Sequence, residues 1–234
     1  MLFNKDRFVA NKYFHLLVTL VVTLFFAPQI EQGMKLPGLQ LMSYILILML
    51  VFCLRAVVKN RKLFWACISI VILQELIEIF VSLLGQPLVH ERAAGINHLI
   101  SCAFFAMTIV LLMRSMFKSR KVDEDTIVGG ICIYLLIGIQ WGLAYIFYEH
   151  HNVNSFALKP GDSLFYFSYT TLTTTGYGDI VPKSNPVKML AMFEAICGQV
   201  YLAIFVARLV GLHIAEKTFE LRQERLGQKS EEGL

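Results

Sequence analysis

Six apolar stretches dominate this chain, at residues 13–30, 37–54, 63–84, 95–113, 126–148 and 189–211, joined by short polar and basic connections except for about forty residues between the last two. Each approaches the ~20 residues a helix needs to cross the hydrocarbon core of a bilayer. No water reaches that depth, so every backbone amide and carbonyl must be satisfied internally, and for runs of this length that means helix. Composition agrees: 56% of the 234 residues are hydrophobic and 16% are charged, against about 25% charged in an average soluble chain. The expected fold is therefore an all-α membrane protein with six transmembrane helices and no room for a second soluble domain. The first run follows Lys5, Arg7 and Lys12, but Phe25-Phe26-Ala27-Pro28 lacks the small-residue pattern of a cleavage site, so the helix is expected to be retained.

The net charge of +4 reflects topology rather than a nucleic-acid partner, because the basic residues sit in short blocks between apolar runs. With the N-terminus inside, sixteen of the 21 Lys and Arg residues fall on the inner side and five on the outer side. Translocating Lys and Arg is disfavoured, so a multi-pass protein of the cell membrane with both termini cytoplasmic is expected. The five cysteines all lie in apolar runs without metal-ligand spacing, which indicates neither a disulfide framework nor a zinc site. No nucleophile with a base, metal cluster or phosphate loop is present, so an enzyme is disfavoured and no cofactor is expected.

Between the fifth and sixth runs, residues 162–179 are too polar to span and too apolar for a solvated loop. They read as a re-entrant segment. Asp162 or Ser163 can cap a short helix that begins with Leu164-Phe165-Tyr166-Phe167. The run Thr171-Leu172-Thr173-Thr174-Thr175-Gly176-Tyr177-Gly178-Asp179 follows. Non-helical backbone at membrane depth is tolerated where it lines a water-filled path. Glycines alternating with larger residues allow successive carbonyls to turn to one side, where they can replace a cation's hydration shell.

Residues 171–179 resemble the signature sequence of the potassium channel family, and the likeness extends over roughly 126–211. The resemblance implies a homotetramer around one ion path, with a selectivity filter of Thr174, Thr175, Gly176, Tyr177 and Gly178. Potassium would be held by the carbonyls of Thr174, Thr175, Gly176 and Tyr177 and by the Thr174 hydroxyl; it is the permeant ion, not a cofactor. The implied division is a cytoplasmic N-terminus at 1–12, a four-helix peripheral, voltage-sensor-like domain at 13–121, a pore domain at 126–212 and a short cytoplasmic tail at 213–234. One pore loop per chain requires four chains to close a ring. The chain departs from the common family pattern at Thr175, Tyr166-Phe167 and Thr170. Filter support is expected from Tyr166 bonding Asp179 and from a Thr170–Thr175 hydrogen bond.

On the sixth run the resemblance places Gly198 at a gating hinge, with close packing against the short helix as the equal alternative, and Gln199, Leu202 and Val206 facing the cavity. Gly138 and Gly142 form a small-xxx-small pair suited to close helix approach. Acids inside apolar runs are functional candidates. Glu194 reads as an anchor behind the filter or, second, a cavity site for cations; Glu75 and Glu78 read as domain-holding partners of His98 or as sensors. No Lys or Arg lies between residues 95 and 113, so strong voltage gating is not expected. The 22 residues after Leu212 are too few for a ligand-binding domain, and Leu212, Phe219 and Leu226 suggest either a short helical bundle or an amphipathic tail. Glu149-His150-His151 reads as a solvated turret or a proton or metal site. The function so inferred is passive, potassium-selective conduction, with the bilayer, identical subunits and an unidentified regulatory subunit or ligand as partners. A non-conducting regulatory subunit and a weakly voltage-dependent channel are the alternatives.

Overall fold

The computed structural model describes residues 12–31, 65, 68–69, 72–73, 76, 87–118 and 123–231. The expected span at 37–54, most of that at 63–84, and both Glu75 and Glu78 lie outside them, as does the His98 side chain. The named elements are five helices: α1 Lys12–Glu31, α2 Pro87–Lys118, α3 Glu124–His151, α4 Leu164–Leu172 and α5 Asn185–Glu231. Among the described residues, three helical segments are long and apolar enough to cross a membrane, in α2, α3 and α5.

The helix ends follow local chemistry. α2 opens on Pro87, whose missing N–H costs nothing in a first turn, and carries Lys118 in its last turn. Asp123 caps α3, accepting from the Thr126 amide at 2.8 Å, while Glu124 and Asp125 oppose the positive end of the helix dipole. Ser163 rather than Asp162 caps α4, accepting from the Tyr166 amide. Asp162 instead accepts from the Lys159 amide at 2.7 Å and holds the preceding turn. α5 runs 47 residues without a break, about 70 Å at 1.5 Å per residue.

α3 is the hub. Leu16 and Leu20 of α1, Phe104, Ile109 and Leu112 of α2, and Tyr201 and Phe205 of α5 close around Val128, Cys132, Ile133 and Leu136. Lipid tails are as apolar as leucine, so shape, not hydrophobicity, holds such helices together. The glycine pair shows how. A Cβ at Gly138 would strike the Tyr169 ring and one at Gly142 the Phe165 ring, so two aromatic side chains one turn apart on α4 lie in the two notches of α3.

A second core closes the outer end around Tyr145, Phe156 and Phe167, whose rings meet edge to face with centroids 5.2–5.6 Å apart. Phe156 bridges Pro182, the Ala157 amide donates to Val181 O, and the Lys183 amide donates to Ser155 O at 2.7 Å. These bonds pinch together the ends of the loop that contains α4 and residues 173–179. The 149–151 triplet is structural at its first member: Glu149 accepts from the amides of Asn154 and Phe156, and His151 bonds Phe147 O. No cluster of three metal-ligating side chains occurs among the described residues.

Candidate functional site

The last turn of α4 delivers the chain into residues 173–179. The Thr174 amide donates to Thr171 O at 2.9 Å, and the Gly176 amide reaches back to Thr170 O at 3.0 Å, using helix-end carbonyls that lack intrahelical partners. Positive φ then recurs at every second residue: 59° at Thr174, 53° at Gly176 and 77° at Gly178. Left-handed backbone at alternate residues turns successive peptide groups away from a helical or strand course. A Cβ at Gly176 or Gly178 would meet open space, so backbone conformation alone demands glycine there. Thr174 takes the same conformation without that freedom, at a cost of about 1–3 kcal/mol.

Several bonds hold the segment. The Thr174 hydroxyl donates to Thr173 O at 2.7 Å and accepts from Gln199 Nε2 of α5 at 3.3 Å. Tyr166 donates to Asp179 Oδ2 at 2.8 Å, and its ring stacks on Tyr177 with an interplanar angle of 3°. The second Asp179 oxygen accepts from the Ile180 amide, and the Tyr166 hydroxyl holds the Asp179 carboxyl below the usual carboxylate range. The expected Thr170–Thr175 bond is absent. Thr170 returns its hydroxyl to Phe167 O at 2.9 Å, as a threonine in a helix readily does, and Thr175 pairs with the Thr173 hydroxyl at 2.9 Å. Thr170 supports the segment through its backbone carbonyl instead.

Behind the segment Glu194 is fully buried. Its Oε2 accepts from Tyr145 at 2.7 Å, and its Oε1 lies 2.6 Å from Ser168 Oγ of α4, which also reaches Gly138 O at 2.8 Å. Both oxygens are thus engaged within the chain, by Tyr145 of α3 and Ser168 of α4. Gly198 sits in unbroken helix, and a Cβ there would collide with the Leu172 carbonyl; close packing is sufficient reason for glycine. Leu202 and Val206 are exposed on α5, as is Gln199 apart from its reach to Thr174.

Residues not anticipated from sequence also fasten α4 and α5 to α3. Tyr134 donates to Leu172 O, Tyr169 to Leu135 O and Tyr201 to Gly130 O. The signal was available in principle, since a phenolic hydroxyl in an apolar run must find a partner. Arg208 of α5 donates to Met116 O of α2 at 2.8 Å and lies 4.7 Å from the centroid of the Phe117 ring.

Comparison with known proteins gives a class first: residues 128–213 match the family model described as an ion channel. The two pore potassium channel a of Oryza sativa subsp. japonica is 34% identical over 104 residues, covering 44% of this chain and 28% of that protein. The voltage-gated potassium channel Kch of Escherichia coli K12 is 29% identical over 153 residues, covering 65% and 33%. The human voltage-gated potassium channel regulatory subunit KCNF1 is 33% identical over 78 residues, covering 32% and 15%. The chain thus spans no more than about a third of the length of these relatives. No solved structure matches. The likeness is thus to ion channels over residues 128–213, with potassium channels among the similar proteins.

Proposed function

We propose that this chain is the subunit of a homotetrameric channel that conducts potassium passively across the cell membrane, with six spans and both termini cytoplasmic. α4 is its pore helix and residues 174–178 its selectivity filter. The carbonyls of Thr174, Thr175, Gly176 and Tyr177 and the Thr174 hydroxyl hold the ion. The observation that carries this reading is the recurrence of left-handed backbone at Thr174, Gly176 and Gly178, on the rim of a buried scaffold. A tetramer is supported by the single loop per chain and by the exposed apolar face of α5, including Met192, Ile196 and Val200.

Residues 13–121 form the peripheral domain and 126–212 the pore domain. The run 95–113 carries no basic residue, which supports weak or absent voltage dependence. Gly198 then serves packing before hinge motion, with Gln199, Leu202 and Val206 lining the cavity. The match to a regulatory subunit favours, as second reading, a chain that conducts only in company with another channel. Liposomes containing this chain alone, under a potassium gradient, distinguish the two: flux that collapses on substituting sodium supports the channel, and no flux supports the regulatory role.

A further inference from the structure

We propose that Gln199 is a positioning residue for the innermost ion site, acting through the hydroxyl of Thr174; this rests on the channel reading above. Gln199 follows Gly198, whose contact with the Leu172 carbonyl brings α5 against the point where α4 ends. From there its Nε2 donates to Thr174 Oγ1 at 3.3 Å, and Oγ1 donates in turn to Thr173 O at 2.7 Å.

A hydroxyl has one hydrogen and two acceptor lone pairs, and it rotates to suit its surroundings. The Thr173 carbonyl takes the hydrogen and Gln199 takes one lone pair, so the rotor is held and a single lone pair remains for a cation. Without the amide, the hydroxyl is fixed on one side only. Peptide carbonyls need no such help, because the backbone orients them; the side-chain ligand does. The placement also accounts for a carboxamide on a stretch of α5 otherwise apolar, beside Val200, Leu202 and Ile204, where a polar group without a task is costly. In a fourfold assembly, four such pairs set the ligands at the inner end of the filter.

The test is calorimetric titration with Ba2+, a divalent probe of potassium-like size, on the full chain in detergent. The proteins are the unaltered chain, Gln199→Met, Thr174→Ala and the double variant. Gln199→Met is expected to weaken Ba2+ binding about three- to tenfold, the range set by one lost hydrogen bond. In the Thr174→Ala background the same change should alter binding by less than about twofold, because the group it acts through is gone. Gln199→Asn, polar but one methylene short, should match Gln199→Met and guards against a folding defect in the latter. Equal losses in both backgrounds, or unchanged binding in both Gln199 variants, would overturn the proposal. Potassium flux through the unaltered chain separates the claims. A conducting chain whose Gln199 variants bind Ba2+ normally overturns this inference alone, whereas a chain without potassium flux overturns the channel reading.

Discussion

Ser168 and Glu194, 26 positions apart, bring their side-chain oxygens within 2.6 Å of each other and fasten α4 to α5 in a fully buried setting. Ser168 has one hydrogen and two acceptors beside it, Glu194 Oε1 and Gly138 O, while Tyr145 donates to the other carboxyl oxygen. The knot binds the scaffold behind residues 174–178 to two separate helices.

Glu194→Gln keeps an acceptor for Tyr145 and supplies an amide that can donate to the Ser168 oxygen, freeing the serine hydroxyl for Gly138. Its expected cost is within about 1 kcal/mol. Glu194→Ala strands the Tyr145 hydroxyl in a dry core and opens a cavity, at about 2–5 kcal/mol. Thermal unfolding of the detergent-solubilised protein reads both. Equal destabilisation by Gln and Ala would remove the hydrogen-bonding role.

The Tyr166–Asp179 bond has a pH signature. Asp179 has its folded pKa depressed by the tyrosine hydroxyl. Its contribution is therefore present above the unfolded value of ~3.9 and is lost as pH falls through the lower folded value. Acidification below about pH 4 should disorder residues 177–179, the outer end of the proposed filter, in the native chain, seen as loss of potassium flux down a fixed potassium gradient. Tyr166→Phe should reduce flux already at neutral pH. Identical acid profiles for Tyr166→Phe and the native chain would contradict the role.

Gly198 and Gly211 lie on the same helix with opposite surroundings. A Cβ at Gly198 meets the Leu172 carbonyl, whereas at Gly211 nothing lies within 4 Å. Gly198→Ala should cost about 1–3 kcal/mol by overpacking, and Gly211→Ala should gain up to about 1 kcal/mol in helix stability. Melting temperatures check both. Gly198→Ala with unaltered stability and a locked pore would restore the hinge in place of packing.

Arg208 ties α5 to the last turn of α2 through Met116 O and the Phe117 ring. Arg208→Met removes both contacts and is expected to change open probability about tenfold, as loss of a charge-assisted hydrogen bond allows. Selectivity for potassium over sodium should not change, since residues 174–178, the proposed filter, lie away from Arg208. Single-channel recording measures both quantities, and a selectivity change without a gating change would contradict the assignment.

Sequence carried the parts of this structure that depend on local pattern. The apolar runs of α3 and α5, the cap before Leu164 and the Gly-Tyr-Gly alternation are each written within a few residues. What depended on distant partners was less legible. Glu194 could be read as an anchor, but nothing near it pointed to Ser168 or Tyr145. The Tyr145–Phe156–Phe167 ring cluster joins three separate segments. Thr174 in left-handed backbone contradicts the preference of a β-branched residue, and only the alternation with Gly176 and Gly178 explains it. The Thr170–Thr175 bond was expected because both side chains are threonine; Thr170, inside a helix, had a nearer acceptor in Phe167 O.

Potassium-selective conduction through residues 174–178 can be read from the reversal potential of the purified full chain, alone in a planar bilayer, with potassium on one side and sodium on the other. The reversal potential is expected close to the potassium equilibrium value in the native chain, with that selectivity lost when Gly178 is replaced by alanine. A current that reverses near zero in the native chain, indifferent to which cation carries it, would rule out a potassium filter at residues 174–178.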